Sequence, residues 1–135
     1  MFSVTTEASF DSAHFLKGYD GKCANLHGHR WRICVSAKAE KIGDDGMVID
    51  FTDLKRDLKN LADNLDHSLI VEEGSLKEKT VEALREENFR MVFLPFRPTA
   101  ENFAKYVYDE LKKNCTEIYR VRVYETPGNY ADYEA

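Results

Sequence analysis

Residues 2–14 fall into two alternating rows. Phe2, Val4, Thr6, Ala8 and Phe10 form one row, and Ser3, Thr5, Glu7, Ser9 and Asp11 form the other. A period of two with one apolar face predicts a half-buried strand. A loop with Gly18 and Gly21 as turn residues follows. A second alternation runs from about residue 26 to 39, with Trp31, Ile33, Val35 and Ala37 against Arg30, Arg32, Ser36 and Lys38. Gly43-Asp44-Asp45-Gly46 then turns the chain. Two adjacent strands with a modest connection favour an antiparallel hairpin.

The period then changes. Leu54, Leu58, Leu61 and Leu65 recur at helical spacing and make one core stripe, with Asp50 or Thr52 as cap and Asp53 in the positive first turn. Ser75-Leu76-Lys77-Glu78 reads as a capping box for a charged helix to about Glu87. Its apolar stripe is thin, which predicts a surface position. A short strand over residues 90–93 precedes Pro95 and Pro98. A third helix starts at Thr99 and turns Phe103, Val107 and Leu111 inward; Lys112, Lys113 and Asn114 close it. The last clear strand is 118–126, followed by a short stretch over 130–133. Strands and helices are intermixed, and the opening hairpin favours an α+β fold with an antiparallel sheet.

Composition narrows the class. The chain of 135 residues carries 24 acidic and 19 basic side chains, a net charge of −5, with 43% hydrophobic residues. These values predict a single domain over residues 1–135 with its own core. The acidic balance argues against sequence-independent nucleic-acid binding, and no apolar run is long enough to span a membrane. The first residues lack a basic and an apolar leader segment, and three cysteines make no disulfide framework. The expectation is a cytoplasmic protein.

The chemistry concentrates in four histidines, three of them tied to one structural prediction. In Cys23-Ala24-Asn25-Leu26-His27-Gly28-His29, His27 and His29 stand two apart at the head of the second strand and share the row of Trp31 and Ile33. His14 continues the apolar row of the first strand. In a hairpin the three imidazoles converge at one end of one face. Three neutral imidazoles are a catalytic zinc set with a fourth position open. Three unrelated structural histidines are the alternative, and Cys23 as a fourth ligand would close the site. In the open site, a cysteine beside a cation presents a thiolate, a base or nucleophile. Cys34 and Cys115 read as buried packing residues.

Asp66-His67 directly follows the leucine-striped helix. The pair reads either as a carboxylate orienting an imidazole or as a solvated helix end. Glu125 falls in the inward row of Val121 and Val123. It is either a strand-end residue reaching solvent or a carboxylate kept for a ligand with two N–H donors.

His14, Cys23-x3-His27-Gly28-His29, Leu65-Asp66-His67, Pro98-Thr99-Ala100-Glu101-Asn102 and Glu125-Thr126 resemble, in order and spacing, the 6-pyruvoyltetrahydropterin synthase superfamily. Gly46-Met47-Val48-Ile49-Asp50-Phe51 is similar to its bacterial 6-carboxytetrahydropterin synthase branch. The resemblance implies a tunnelling fold, an antiparallel four-stranded sheet with helices packed on one face. It implies a homohexamer built as a dimer of trimers, with active sites between subunits. It implies zinc on His14, His27 and His29, with Cys23, Asp66 and His67 catalytic, the last two on a neighbouring subunit. Glu125 would anchor a pterin, with Thr99 and Glu101 supporting. The implied small-molecule substrate is 7,8-dihydroneopterin triphosphate. The implied product is 6-carboxytetrahydropterin in the queuosine branch, or 6-pyruvoyltetrahydropterin in the tetrahydrobiopterin branch. Ser68-Leu69-Ile70-Val71 and the charged segment 72–93 depart from the family pattern.

Overall fold

A computed structural model describes residues 1–135. The elements in chain order are β1 (Phe2–His14), β2 (His27–Ala39), α1 (Phe51–Leu65), β3 (Ser68–Glu72), α2 (Glu78–Glu86), β4 (Met91–Leu94), α3 (Ala100–Lys112), β5 (Ile118–Thr126) and β6 (Asn129–Glu134), with one 3-10 turn at Lys22–Ala24. The strands form one sheet in the order β4-β3-β1-β2-β5-β6. Its body, β1-β2-β5-β6, is antiparallel throughout, as expected.

The sheet has six strands rather than four, because β3 and β4 add two parallel pairings at the β1 edge. β3 carries no alternation to read. Ser68, Ile70 and Val71 are all buried, so both of its faces are covered. Parallel strands covered on both sides lose the period of two. The charged helix α2 is the crossover that joins β3 to β4.

One face of the sheet carries the core. Phe10, Trp31, Ile33, Val35, Val121 and Val123 pack against Leu54, Leu58, Ala62 and Leu65 of α1 and Phe103, Ala104, Val107 and Leu111 of α3. Asp50 caps α1 by accepting from the Thr52 N–H at 2.8 Å. The capping box at α2 does not form. Lys77 occupies the cap position without a side-chain bond, and Ser75 Oγ donates to Glu72 O at 2.6 Å, closing the preceding turn. Val81 is the one buried residue of α2, as its thin stripe implied.

The other face is polar. Arg30 pairs with Asp11, Arg32 with Glu7, Arg122 with Asp132 and Arg120 with Glu134. Exposed pairs such as Arg30–Asp11 and Arg32–Glu7 contribute about 0–1 kcal/mol each, whereas Arg122 grips Asp132 by a two-bond fork at 2.7 and 2.8 Å. Cys34 lies half-buried on it with its thiol 3.5 Å from Glu7 Oε2. Burial first, and then the Glu7 carboxylate, push that thiol's pKa up. Cys115 is also half-buried, so neither cysteine is fully enclosed as expected.

Candidate functional site

The antiparallel register places His14 opposite His27 and Ser12 opposite His29. The end of β1 therefore meets the start of β2, and the three inward imidazoles converge. Ring centroids are 4.6 Å apart for His14 and His27, 5.1 Å for His14 and His29, and 4.8 Å for His27 and His29. Trp31, fully buried, forms the floor, with its ring 5.1 Å from His14 and 5.4 Å from His29.

Backbone carbonyls set the tautomers. His14 Nδ1 lies 2.7 Å from Pro98 O, and His27 Nδ1 lies 2.6 Å from Asn25 O. A carbonyl only accepts, so each Nδ1 carries the proton and each Nε2 of a neutral ring presents a lone pair. Those two Nε2 atoms face each other at 3.1 Å. Two lone pairs at that distance repel unless a cation lies between them. His29 Nε2 is buried and lacks a hydrogen bond, although Glu125 Oε1 is 3.0 Å away. Glu125 Oε1 also lies 3.5 Å from His14 Nε2. The four ligand atoms all fall within 4.8 Å of one another. Zinc–nitrogen bonds of about 2.0–2.1 Å at tetrahedral angles bring nitrogens to about 3.3–3.4 Å, close to the 3.1 Å between His14 Nε2 and His27 Nε2. The donor set fits a dication.

Burial is the chief reason that His14 and His29 hold protons less readily than an ordinary histidine; the Pro98 bond opposes it at His14 and Glu125 opposes it at His29. Neutral rings are what a metal needs.

Glu125 arrives through a fault in the sheet. β5 and β6 pair at Tyr124↔Tyr130 and then Thr126↔Asn129, so Glu125 is the extra residue of a bulge. Bulges re-aim side chains. The carboxylate keeps its inward parity and reaches the histidines. It sits within their cluster rather than apart from it, as a separate anchor would. The fourth group converging on the histidines is thus Glu125, and Cys23 is not among them. Cys23 is half-buried in the 3-10 turn, where its carbonyl accepts from the Leu16 N–H at 3.0 Å.

Asp66 and His67 form a separate pair. His67 Nδ1 donates to Asp66 Oδ2 at 2.9 Å, and Asp66 Oδ1 accepts from the Asp11 N–H at 2.8 Å. The His67 N–H in turn donates to Asp11 O at 2.6 Å. The Asp11 N–H bond and then His67 hold the Asp66 carboxyl below its ordinary pKa, and Asp66 holds the His67 imidazolium above its own. His67 is 78% exposed. It lines a cleft of about 620 Å³ that His29 also lines, with Leu26, Leu69, Leu84 and Phe89 as apolar wall. A second cleft of about 540 Å³ reaches His29 and Glu125 from the polar side, past Arg30, Arg32 and Tyr124.

Thr99 and Glu101 line neither cleft. Thr99 is the N-cap of α3, its Oγ1 accepting from the Asn102 N–H at 3.3 Å, while Asn102 Nδ2 donates to Arg97 O at 2.9 Å. These bonds shape the turn that presents Pro98 O to His14. Glu101 is exposed in the first turn of α3. Pro98 O, Asp11 and Arg90 were not found from sequence as parts of the site, because their contribution is a carbonyl, an amide or a long-range bond.

The profile of the family described as 6-pyruvoyl tetrahydropterin synthase matches residues 3–135. A 6-carboxy-5,6,7,8-tetrahydropterin synthase of Haemophilus influenzae is 38% identical over 140 residues, covering 99% of each chain. The solved 6-pyruvoyl tetrahydropterin synthase of Caenorhabditis elegans superposes with a TM-score of 0.70 at 30% identity, covering 100% of this chain and 97% of that one. An uncharacterized protein of Wolinella succinogenes shares the fold at a TM-score of 0.83 and 19% identity, covering 98% of this chain and 97% of that one.

Proposed function

The chain belongs to the 6-pyruvoyl tetrahydropterin synthase family, and from that premise we propose that it is a zinc-dependent lyase acting on 7,8-dihydroneopterin triphosphate. The product is 6-carboxy-5,6,7,8-tetrahydropterin, released with triphosphate and acetaldehyde, for queuosine biosynthesis. The observation that carries the metal reading is the pair of unprotonated Nε2 atoms of His14 and His27 facing each other at 3.1 Å. The choice of the 6-carboxy product over the 6-pyruvoyl one rests on the Haemophilus influenzae relative.

His14, His27 and His29 would hold the zinc, which would supply Lewis-acid chemistry toward the side-chain hydroxyls of the substrate. His67, with Nδ1–H bound to Asp66, keeps Nε2 as the atom that takes or gives a proton. The exposed ring and raised pKa suit that role near neutral pH. Cys23 is the second proton-transfer group. Glu125 accepts the N–H edge of the pterin from its place beside His29. Arg30 and Arg32, on the cleft that reaches Glu125, are the cations for the triphosphate tail. Thr99 supports the site through the turn it caps, which presents Pro98 O to His14, whereas nothing in the geometry gives Glu101, exposed and outside both clefts, a place in the pterin pocket.

The protein acts in the cytoplasm as a single-domain homohexamer with sites shared between subunits. No helix is long and apolar enough to cross a membrane. Cys23 lies outside the cleft that His67 lines, which supports a site completed by a neighbouring chain. Mixed Cys23→Ala and His67→Ala subunits should then recover activity; no rescue after verified exchange would argue for sites within one chain. The reaction itself is tested by incubating zinc-loaded protein with 7,8-dihydroneopterin triphosphate and identifying the products. 6-Carboxytetrahydropterin with acetaldehyde is expected. 6-Pyruvoyltetrahydropterin would move the protein to the tetrahydrobiopterin branch.

A further inference from the structure

α1 ends at an unusual place. Its C-cap is Asp66, and the next residue, His67, has φ 51. The left-handed position after a helix normally belongs to glycine, which has no Cβ to clash. Here a histidine occupies it, so the turn must be held by contacts from outside. The last carbonyls of the helix also need donors.

Arg90 supplies them. Its Nη1 donates to Asp66 O at 2.6 Å, and its Nη2 donates to Asn64 O at 2.7 Å and Asp63 O at 3.2 Å. A planar guanidinium can bridge neighbouring carbonyls, and its charge suits a helix C-terminus. The strut is anchored, because Arg90 O accepts from the Leu69 N–H at 3.0 Å, beside the β3–β4 pairing. Asp11 grips the turn from the other side through its own N–H and carbonyl. Arg90 belongs to the charged segment 72–93, and Leu84 and Phe89 of that segment line the same cleft as His67.

We propose that Arg90 is a positioning residue for the Asp66–His67 pair, holding the turn after α1 so that His67 stays bound to Asp66 and faces the cleft. Segment 72–93 is then a wall and a brace of the active site. The catalytic meaning of this brace rests on the function proposed above, while its geometry does not.

The charge of Arg90 and its brace act on His67 with opposite signs. The nearby cation lowers the His67 pKa, and the Asp66 hydrogen bond raises it. Asp11 and Asp66 are the acidic groups that face the ring, and Arg90 is the basic one. Removing charge alone would raise the pKa. Loosening the turn would lower it, because the Asp66–His67 bond would be made less often.

The experiment uses the full chain with Arg90→Ala and Arg90→Lys, reading the His67 pKa by NMR, zinc content, kcat and KM. Arg90→Ala should lower the His67 pKa and cut kcat about ten- to a hundredfold, with KM and zinc unchanged. Arg90→Lys keeps the charge without the planar fork, and should show the same changes in smaller degree. A His67 pKa that stays or rises in Arg90→Ala, or an unchanged kcat in both variants, would overturn the proposal. If Arg90→Ala does not fold, Arg90→Lys is read by the same criteria. The NMR titration needs no turnover, so a native chain inactive on the pterin would refute the proposed reaction and leave the brace separately tested.

Discussion

The histidine cluster and the Asp66–His67 turn both use oxygen atoms to orient imidazoles, in opposite surroundings. His14 is 1% exposed and gives its Nδ1 proton to a backbone carbonyl. His67 is 78% exposed and gives its Nδ1 proton to a carboxylate. Burial lowers the pKa at the first site, and the carboxylate raises it at the second. One arrangement keeps rings neutral and aims lone pairs at a point. The other keeps a ring that can carry a proton in contact with solvent. The partner of Nδ1, together with burial, decides whether a histidine serves a metal or a proton.

The sharpest way to break this contrast is to remove one imidazole from each region. His14→Ala should abolish zinc binding and turnover, a larger effect than the roughly 10–100-fold cost of losing a ligand's outer partner. His67→Ala should keep its zinc and lose about 10²–10⁴-fold in turnover. Metal analysis beside a product assay reads both. Full zinc occupancy in His14→Ala would end the distinction.

Glu125 stands where the two functions meet. Glu125→Gln should weaken a pterin analogue by about 2–4 kcal/mol, because an acceptor becomes a donor facing a donor. Zinc content should hold if the carboxylate is the pterin anchor. Its loss instead would make Glu125, which lies 3.0 Å from His29 Nε2, a metal ligand.

Thr99→Ala tests whether the carbonyl that orients His14 depends on the α3 cap. Loss of the cap should cost about 0.5–2 kcal/mol in stability, read by denaturant unfolding, with weaker zinc affinity beside it. Unchanged zinc affinity would show that the Pro98 carbonyl is held without it.

The smallest effect concerns pH. The raised pKa of His67 contributes stability below its unfolded value near 6.5, and that contribution fades as pH rises through the folded value. The lowered pKa of Asp66 contributes above its unfolded value near 3.9 and is lost as pH falls through the folded one. Asp66→Asn should therefore return the His67 pKa toward about 6.5, seen in an NMR titration. An unmoved pKa would mean that the exposed pair is not formed in solution.

Much of the cluster was legible from alternation alone. Strand parity placed His14, His27 and His29 on the core side, and the hairpin brought them together. Parity also turned Glu125 inward, without indicating the bulge that delivers it to His29. The Asp66–His67 region was harder to read. β3 has no alternation, the capping box at Ser75 closed a turn instead, and Arg90 reaches the end of α1 from the loop before β4.

From the sequence come the strand and helix periods, the inward row that carries the histidines, and a cap for α1 at Asp50 or Thr52. These are local properties, set by backbone geometry over a few residues. The packing of distant elements selects the carbonyl that fixes His14, since Pro98 lies 84 residues further along the chain. That packing also decides that Asp11 and Arg90 clamp the turn at His67, and that Glu125 rather than Cys23 closes on the imidazoles. Hydrogen-bond partners across the sheet depend on how distant elements pack, and no local period records that.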